Sequence, residues 1–131
     1  MTKKVGIVNG YFFPCSSKPN CISSMTENTK DSHYIEPLTF SAEDESLMNK
    51  IVSYMSHWPR TKLVEQSDFY LHYEVKSAIF GFTDDLEIYY DIKNKVLHFK
   101  SASRIGYSDF GVNRSRIESL KSELLRILKD Q

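Results

Sequence analysis

Most of the residues with chemical potential in this chain fall in two short stretches. From Ser101 to Ile117 the sequence reads SASRIGYSDFGVNRSRI, with Arg104, Asp109, Asn113, Arg114 and Arg116 around two glycines. Upstream, Thr83-Asp84-Asp85-Leu86-Glu87 concentrates carboxylates. An arginine beside free amides at a helix start can hold a carboxylate or a phosphate. A carboxylate in a sheltered depression can act as a general base. These types name an anion site formed by Arg104, Asp109, Asn113 and Arg114. They also name a base, Asp85 or Glu87, with Arg104 binding an anionic group of the substrate. The same residues equally make a cross-strand ion pair on a solvated face, or a polar latch tying the last helix to the sheet.

The elements that must position these side chains are readable. Phe69–Phe82, Leu86–Ile92 and Val96–Arg104 alternate apolar and polar residues with period two, as strands of an antiparallel meander do. Thr61–Glu65 and Tyr34–Leu38 are shorter strand candidates. A helix is expected from Ser41, with Ala42-Glu43-Asp44-Glu45 in its first turn and Pro59 as its stop. Its apolar face is Leu47, Met48, Ile51, Tyr54, Met55 and Trp58. A second helix is expected from Asn113, as N-cap, to Lys129, with Ser115 and Glu118 as a competing capping box. Ile117, Leu120, Leu124, Ile127 and Leu128 form its stripe. The fold class that follows is α+β: a twisted antiparallel sheet of about four or five strands with both helices on one face.

Turn chemistry sets an expected register. A two-residue loop at Asn94-Lys95 places Lys93 opposite Val96, Tyr90 opposite Phe99, Glu87 opposite Ala102 and Asp85 opposite Arg104. A four-residue turn, Gly81-Phe82-Thr83-Asp84, pairs Ile79 with Leu86 and Ala78 with Glu87. Glu87 would then lie between two alanines, in a depression with Arg104 at its rim.

Composition bounds the rest. The chain has 131 residues, one domain's usual size, with 1–33 mostly irregular and 34–131 the α+β core. Seventeen basic and seventeen acidic residues cancel, which argues against a dedicated nucleic-acid binder. No apolar run approaches the roughly 20 residues of a membrane helix, and no signal peptide is evident. The chain as written reads as cytoplasmic. The four histidines show no metal-ligand spacing, and no cofactor is expected. Cys15 and Cys21 can form a structural staple, remain packed thiols, or, less well served by their spacing, do redox or metal chemistry.

Three ordered motifs carry a resemblance. They are Cys15-Ser16-Ser17-Lys18-Pro19-Asn20-Cys21-Ile22-Ser23-Ser24, Phe82-Thr83-Asp84-Asp85, and Ser101-Ala102-Ser103-Arg104-Ile105-Gly106 with Ser108-Asp109-Phe110-Gly111-Val112-Asn113-Arg114. Together they resemble the domain-of-unknown-function family 1499. The family's usual proline after the first cysteine is Ser16 here, and its serine before the second proline is Lys18. The resemblance implies a small bacterial or plastid-type domain with no assigned reaction. Members often carry an N-terminal membrane or lipoprotein segment, which makes an envelope or periplasmic location the alternative to the cytoplasm. The expected function is a non-catalytic binding or structural module for a small anionic ligand or a protein partner. The alternative is an enzyme built on Glu87 or Asp85 and Arg104.

Overall fold

The computed structural model describes residues 4–78 and 80–129. Along the chain run β1 (Ile7–Val8), β2 (Tyr11–Phe12), β3 (Cys21–Ser23), β4 (Leu38–Thr39), α1 (Leu47–Met55), β5 (Thr61–Gln66), β6 (Tyr70–Lys76), β7 (Thr83–Asp91), β8 (Val96–Ser103) and α2 (Val112–Lys129). The fold is α+β, as the alternation implied. One antiparallel sheet has the order β3-β8-β7-β6-β5, with β4 as a sixth strand on the β8 edge already lined by β3. β1 and β2 form a separate hairpin. Its turn, Asn9-Gly10, has both residues at positive φ (54° and 84°), the conformation that pair of residues favours in a two-residue loop.

Residues 1–33 were expected to be mostly irregular; within them, the described residues 4–33 supply this hairpin and the edge strand β3. Residues 4–33 are otherwise loop, held by scattered backbone bonds such as Ser23 N to His33 O and Ser24 N to Phe99 O.

The core lies between one sheet face and both helices. Leu71, Tyr73 and Val75 of β6, Leu86, Ile88 and Tyr90 of β7, and Leu97 and Phe99 of β8 meet Leu47, Met48, Ile51 and Met55 of α1 and Ile117, Leu120 and Leu124 of α2. Period two in the strands and period 3.6 in the helices present these side chains to a common layer.

Both hairpin registers differ from expectation. Asp91 pairs with Val96, so the β7–β8 loop holds the four residues Ile92–Lys95. The Asp91 carboxylate accepts bonds from Asn94 N (3.3 Å) and Nδ2 (2.8 Å), and Lys95 takes the left-handed conformation. That Asx-type turn outcompetes the tighter loop. Ile88, not Tyr90, faces Phe99; Glu87 faces Lys100, and Asp85 faces Ala102. β6 ends at Lys76, opposite Thr83, so Ala78 does not pair with Glu87, and the expected partner Ile79 lies outside the described residues. On β6, Glu87 faces His72 and Asp85 faces Glu74. Both slips are even-numbered, so every side chain keeps its expected face.

The helix starts also move. Asp44 Oδ1 accepts from Ser46 N and Oγ (2.9 and 2.7 Å), and Asp44 N donates to the Tyr90 hydroxyl (3.0 Å). Residues 41–46 are thereby a turn, and α1 begins at Leu47 without an acidic first turn. It ends at Met55, ahead of Pro59. In α2, Asn113 lies inside the first turn and is fully buried, not a cap. Asp109 does the capping: its carboxylate accepts from Gly111 N (2.8 Å) and Asn113 N (3.2 Å). Ser115 N is bonded to Gly111 O, so the Ser115/Glu118 box does not form.

Candidate functional site

The sheet face away from the helices carries Tyr70, His72 and Glu74 from β6, Asp85, Glu87 and Tyr89 from β7, and His98, Lys100 and Ala102 from β8. A solvated face would leave these residues wet. Here the arm formed by residues 4–15 lies across them, and Glu87 is 1% exposed, His72 2% and Lys100 3%. Glu87 Oε1 accepts from Gly6 N (2.7 Å) and from the Tyr70 hydroxyl (2.7 Å). Lys100 Nζ donates to Phe13 O (2.7 Å) and Lys4 O (3.3 Å) and lies 3.8 Å from Glu87 Oε2. The buried ring of Phe12 meets Tyr89 edge-on.

A disulfide between Cys15 and Cys21 ties the arm to β3. The small ring it closes restricts an arm with few other covalent or ladder constraints.

Beside Glu87 lies an ion cluster. Arg104 grips Asp85 through Nε (2.9 Å) and Nη2 (2.8 Å) and reaches Glu74 with the same Nη2. His72 Nε2 bonds Asp85 Oδ1 at 2.6 Å. Arg104 and Asp85 therefore do share a face, although Arg104 reaches back diagonally from beyond the strand end. Burial pushes the Asp85 carboxyl up, but bonds from Arg104 and then His72 outweigh it and hold it at about 2. Glu87 behaves oppositely: burial raises its carboxyl above the ordinary value despite Gly6 and Tyr70. Burial lowers the Lys100 ammonium, with Glu87 opposing.

Between the disulfide loop and this polar face opens a cleft of about 380 Å³. Lys4, Lys18, Lys100, Arg104, Asp85 and Glu87 line it, with the disulfide on its wall. Three sequence candidates, Asp85, Glu87 and Arg104, and both cysteines thus meet at one concavity.

The other candidates lie elsewhere. Asn113 bonds Ser101 Oγ, Ser103 Oγ (2.9 Å), Asn20 O (3.2 Å) and Asp109. Arg114 donates to Ser32 O (2.7 Å) and Tyr34 O (2.8 Å), and Arg116 pairs with Asp84 (2.9 Å). Asp109 and Arg114 also line a smaller concavity of about 190 Å³. These bonds join α2 to β7, β8 and the segments at Asn20 and Ser32–Tyr34, and they answer the arginines at the helix start with internal partners.

Sequence reasoning did not nominate Tyr70, His72, Lys100, Lys4 or Lys18 for the site. Alternation along β6 and β8 already placed the first three on the face of Glu87. No local signal showed that the arm would cover that face.

Among the described residues no cluster of His, Cys, Asp or Glu is arranged to hold a metal ion, and no helix is long and apolar enough to cross a membrane. The family described as "Protein of unknown function (DUF1499)" matches residues 12–124, nearly the whole chain. The chain belongs to this family. The DUF1499 match takes in the disulfide, Lys18, Lys100, Arg104 and both cleft carboxylates, while Lys4 and Gly6 precede it. No curated protein and no solved structure matches the chain.

Proposed function

We propose that this chain is a non-catalytic binding module whose cleft takes a small anionic ligand. One observation carries the reading: the charges lining the cleft that lack an opposite partner are positive. Asp85 is held by Arg104 and His72, and Glu87 by Gly6, Tyr70 and Lys100. By contrast, the ammonium groups of Lys4 and Lys18 have no carboxylate partner among the described residues, and Arg104 Nη1 has no bond there. A carboxylate or phosphate entering the cleft meets these donors without displacing an internal bond.

The test is an NMR titration of the folded protein with citrate and with inorganic phosphate. Shifts confined to residues around the cleft are expected, with affinity reduced about tenfold in Lys18→Gln, the loss of one charge-assisted bond. Lys93→Gln, at the opposite end of the sheet, serves as the charge control and is expected to bind like the parent. If neither anion perturbs the cleft, the reading fails.

Glu87 keeps the enzyme alternative in view. Its raised carboxyl lines the cleft, with Lys100 Nζ 3.8 Å from Oε2. Asp85 does not suit that role, because a carboxyl held at about 2 is a poor base near neutral pH. Chemical change of a bound anion during the titration, abolished in Glu87→Gln, would favour this alternative.

A further inference from the structure

The residues Cys21, Ala102, Asp85, Glu74 and Lys62 form one row across the sheet. It follows that the connections 14–20, 56–60, 77–82 and 104–111 all leave from the same end. That end displays Phe80, Phe82, Ile105, Tyr107, Phe110 and Val112, half of the large exposed apolar side chains among the described residues. Phe110 is 94% exposed.

These side chains are not on slack loops. Phe80 and Phe82 stack at 5.4 Å, and Ser77 N and Phe82 O close their turn. Ser108 Oγ accepts from Phe110 N, Asp109 N donates to Pro19 O, and Arg104 N donates to Thr83 O. Phe110 holds a left-handed backbone (φ 52°), unfavourable for a bulky residue. The polar groups of the loop turn inward while its apolar groups face water.

The charge left without an opposite partner at this end is positive. Lys18, Arg60 and Lys76 stand on or beside these connections, while the acids of this end are engaged: Asp85 and Glu74 with Arg104, Asp84 with Arg116, and Asp109 with Gly111 and Asn113. Among the described residues Lys18, Arg60 and Lys76 have no carboxylate partner. At the opposite end Glu43, Glu45, Glu65 and Asp68 are exposed.

We propose that the end carrying Phe80, Phe82 and the 104–111 connection docks on an anionic lipid bilayer. Phe80, Phe82, Tyr107 and Phe110 would enter the headgroup layer, with Arg60 and Lys76 against lipid phosphates. Aromatic side chains flanked by cations suit that layer, where one part is apolar and the next is wet and negatively charged. The apolar groups sit on the tips of separate loops, not in one groove that would receive a peptide or a helix.

Sedimentation with vesicles of equal parts phosphatidylglycerol and phosphatidylcholine, against phosphatidylcholine alone, tests this. The expected preference for the anionic vesicles is about tenfold or more. Phe80→Ser/Phe110→Ser and Arg60→Gln/Lys76→Gln are each expected to lower it about tenfold while circular dichroism stays unchanged. In Phe110→Trp, brominated-chain lipids are expected to quench the added emission over the Trp58 background. No sedimentation with phosphatidylglycerol vesicles, unchanged sedimentation of Phe80→Ser/Phe110→Ser, or binding without quenching would each overturn the proposal. So would association through these residues with a soluble protein but not with vesicles. Arg60 and Lys76 lie outside the cleft, so this result is independent of anion binding there.

Discussion

Asp85 and Lys100 show how burial and partners set opposite demands on neighbouring charges. Asp85 sits well below its unfolded value, so its contribution to stability is fully present above about pH 4. It is lost as pH falls through the folded value of about 2. In the parent this amounts to about 2 kcal/mol by linkage. Asp85→Asn is expected to be less stable near neutral pH and to lack that share of the acid-induced loss, read from urea unfolding at several pH values. A profile between pH 4 and 2 as steep as the parent's would show that Asp85 does not govern it. For Lys100, replacement by Met removes the cation facing Glu87 and the donor to Lys4 O and Phe13 O. A loss of roughly 3–5 kcal/mol is expected. With its cation gone, Glu87 rises further, and an acid raised by folding destabilises as pH climbs through its folded value. Lys100→Met is therefore expected to lose more stability at pH 8 than at pH 5, and equal losses would contradict this account.

At the scale of elements, the disulfide is the covalent tie between the arm and β3. Cys15→Ser/Cys21→Ser is expected to lose about 2 kcal/mol in chemical denaturation, the chain-entropy cost for so small a ring. Reductant should reproduce the loss in the parent and leave the double variant unchanged. On β6, the Tyr73 hydroxyl is buried in the core without a hydrogen-bond partner among the described residues. Tyr73→Phe removes a desolvated group and keeps the ring, so thermal unfolding should show no loss or a gain of up to about 1 kcal/mol. The strands themselves were legible because alternation fixes a face, and an even slip in register preserves it. The turns were not, because Asp91 supplies a side-chain acceptor that stabilises a four-residue loop over the shorter one. Asn113 has the residue type of a cap, yet buried partners on Ser101, Ser103 and Asn20 draw it into the helix.

At the scale of the molecule, the sheet separates two buried layers of different chemistry. One is the apolar layer under the helices. The other is a polar layer under residues 4–15, satisfied by backbone groups of the arm and by its own charges. The amino-acid order alone determined the first layer, the α+β class and the grouping of Asp85, Glu87 and Arg104 on one face. Those follow from periodicities of two and 3.6 that each segment carries within itself. Asn9-Gly10 between Val8 and Tyr11 carries the turn chemistry of the small hairpin, yet the segment was expected to be mostly irregular because its two strands are only two residues long. Only the tertiary structure decided that the arm covers the polar face, that Lys100 and Glu87 are dry, and that Asn113 and Arg116 join the helix to the sheet. Gly6 and Glu87 are 81 positions apart, and Phe13 and Lys100 are 87. No local pattern encodes such contacts, because they arise when a weakly periodic segment finds the donors and acceptors that a folded sheet leaves unsatisfied.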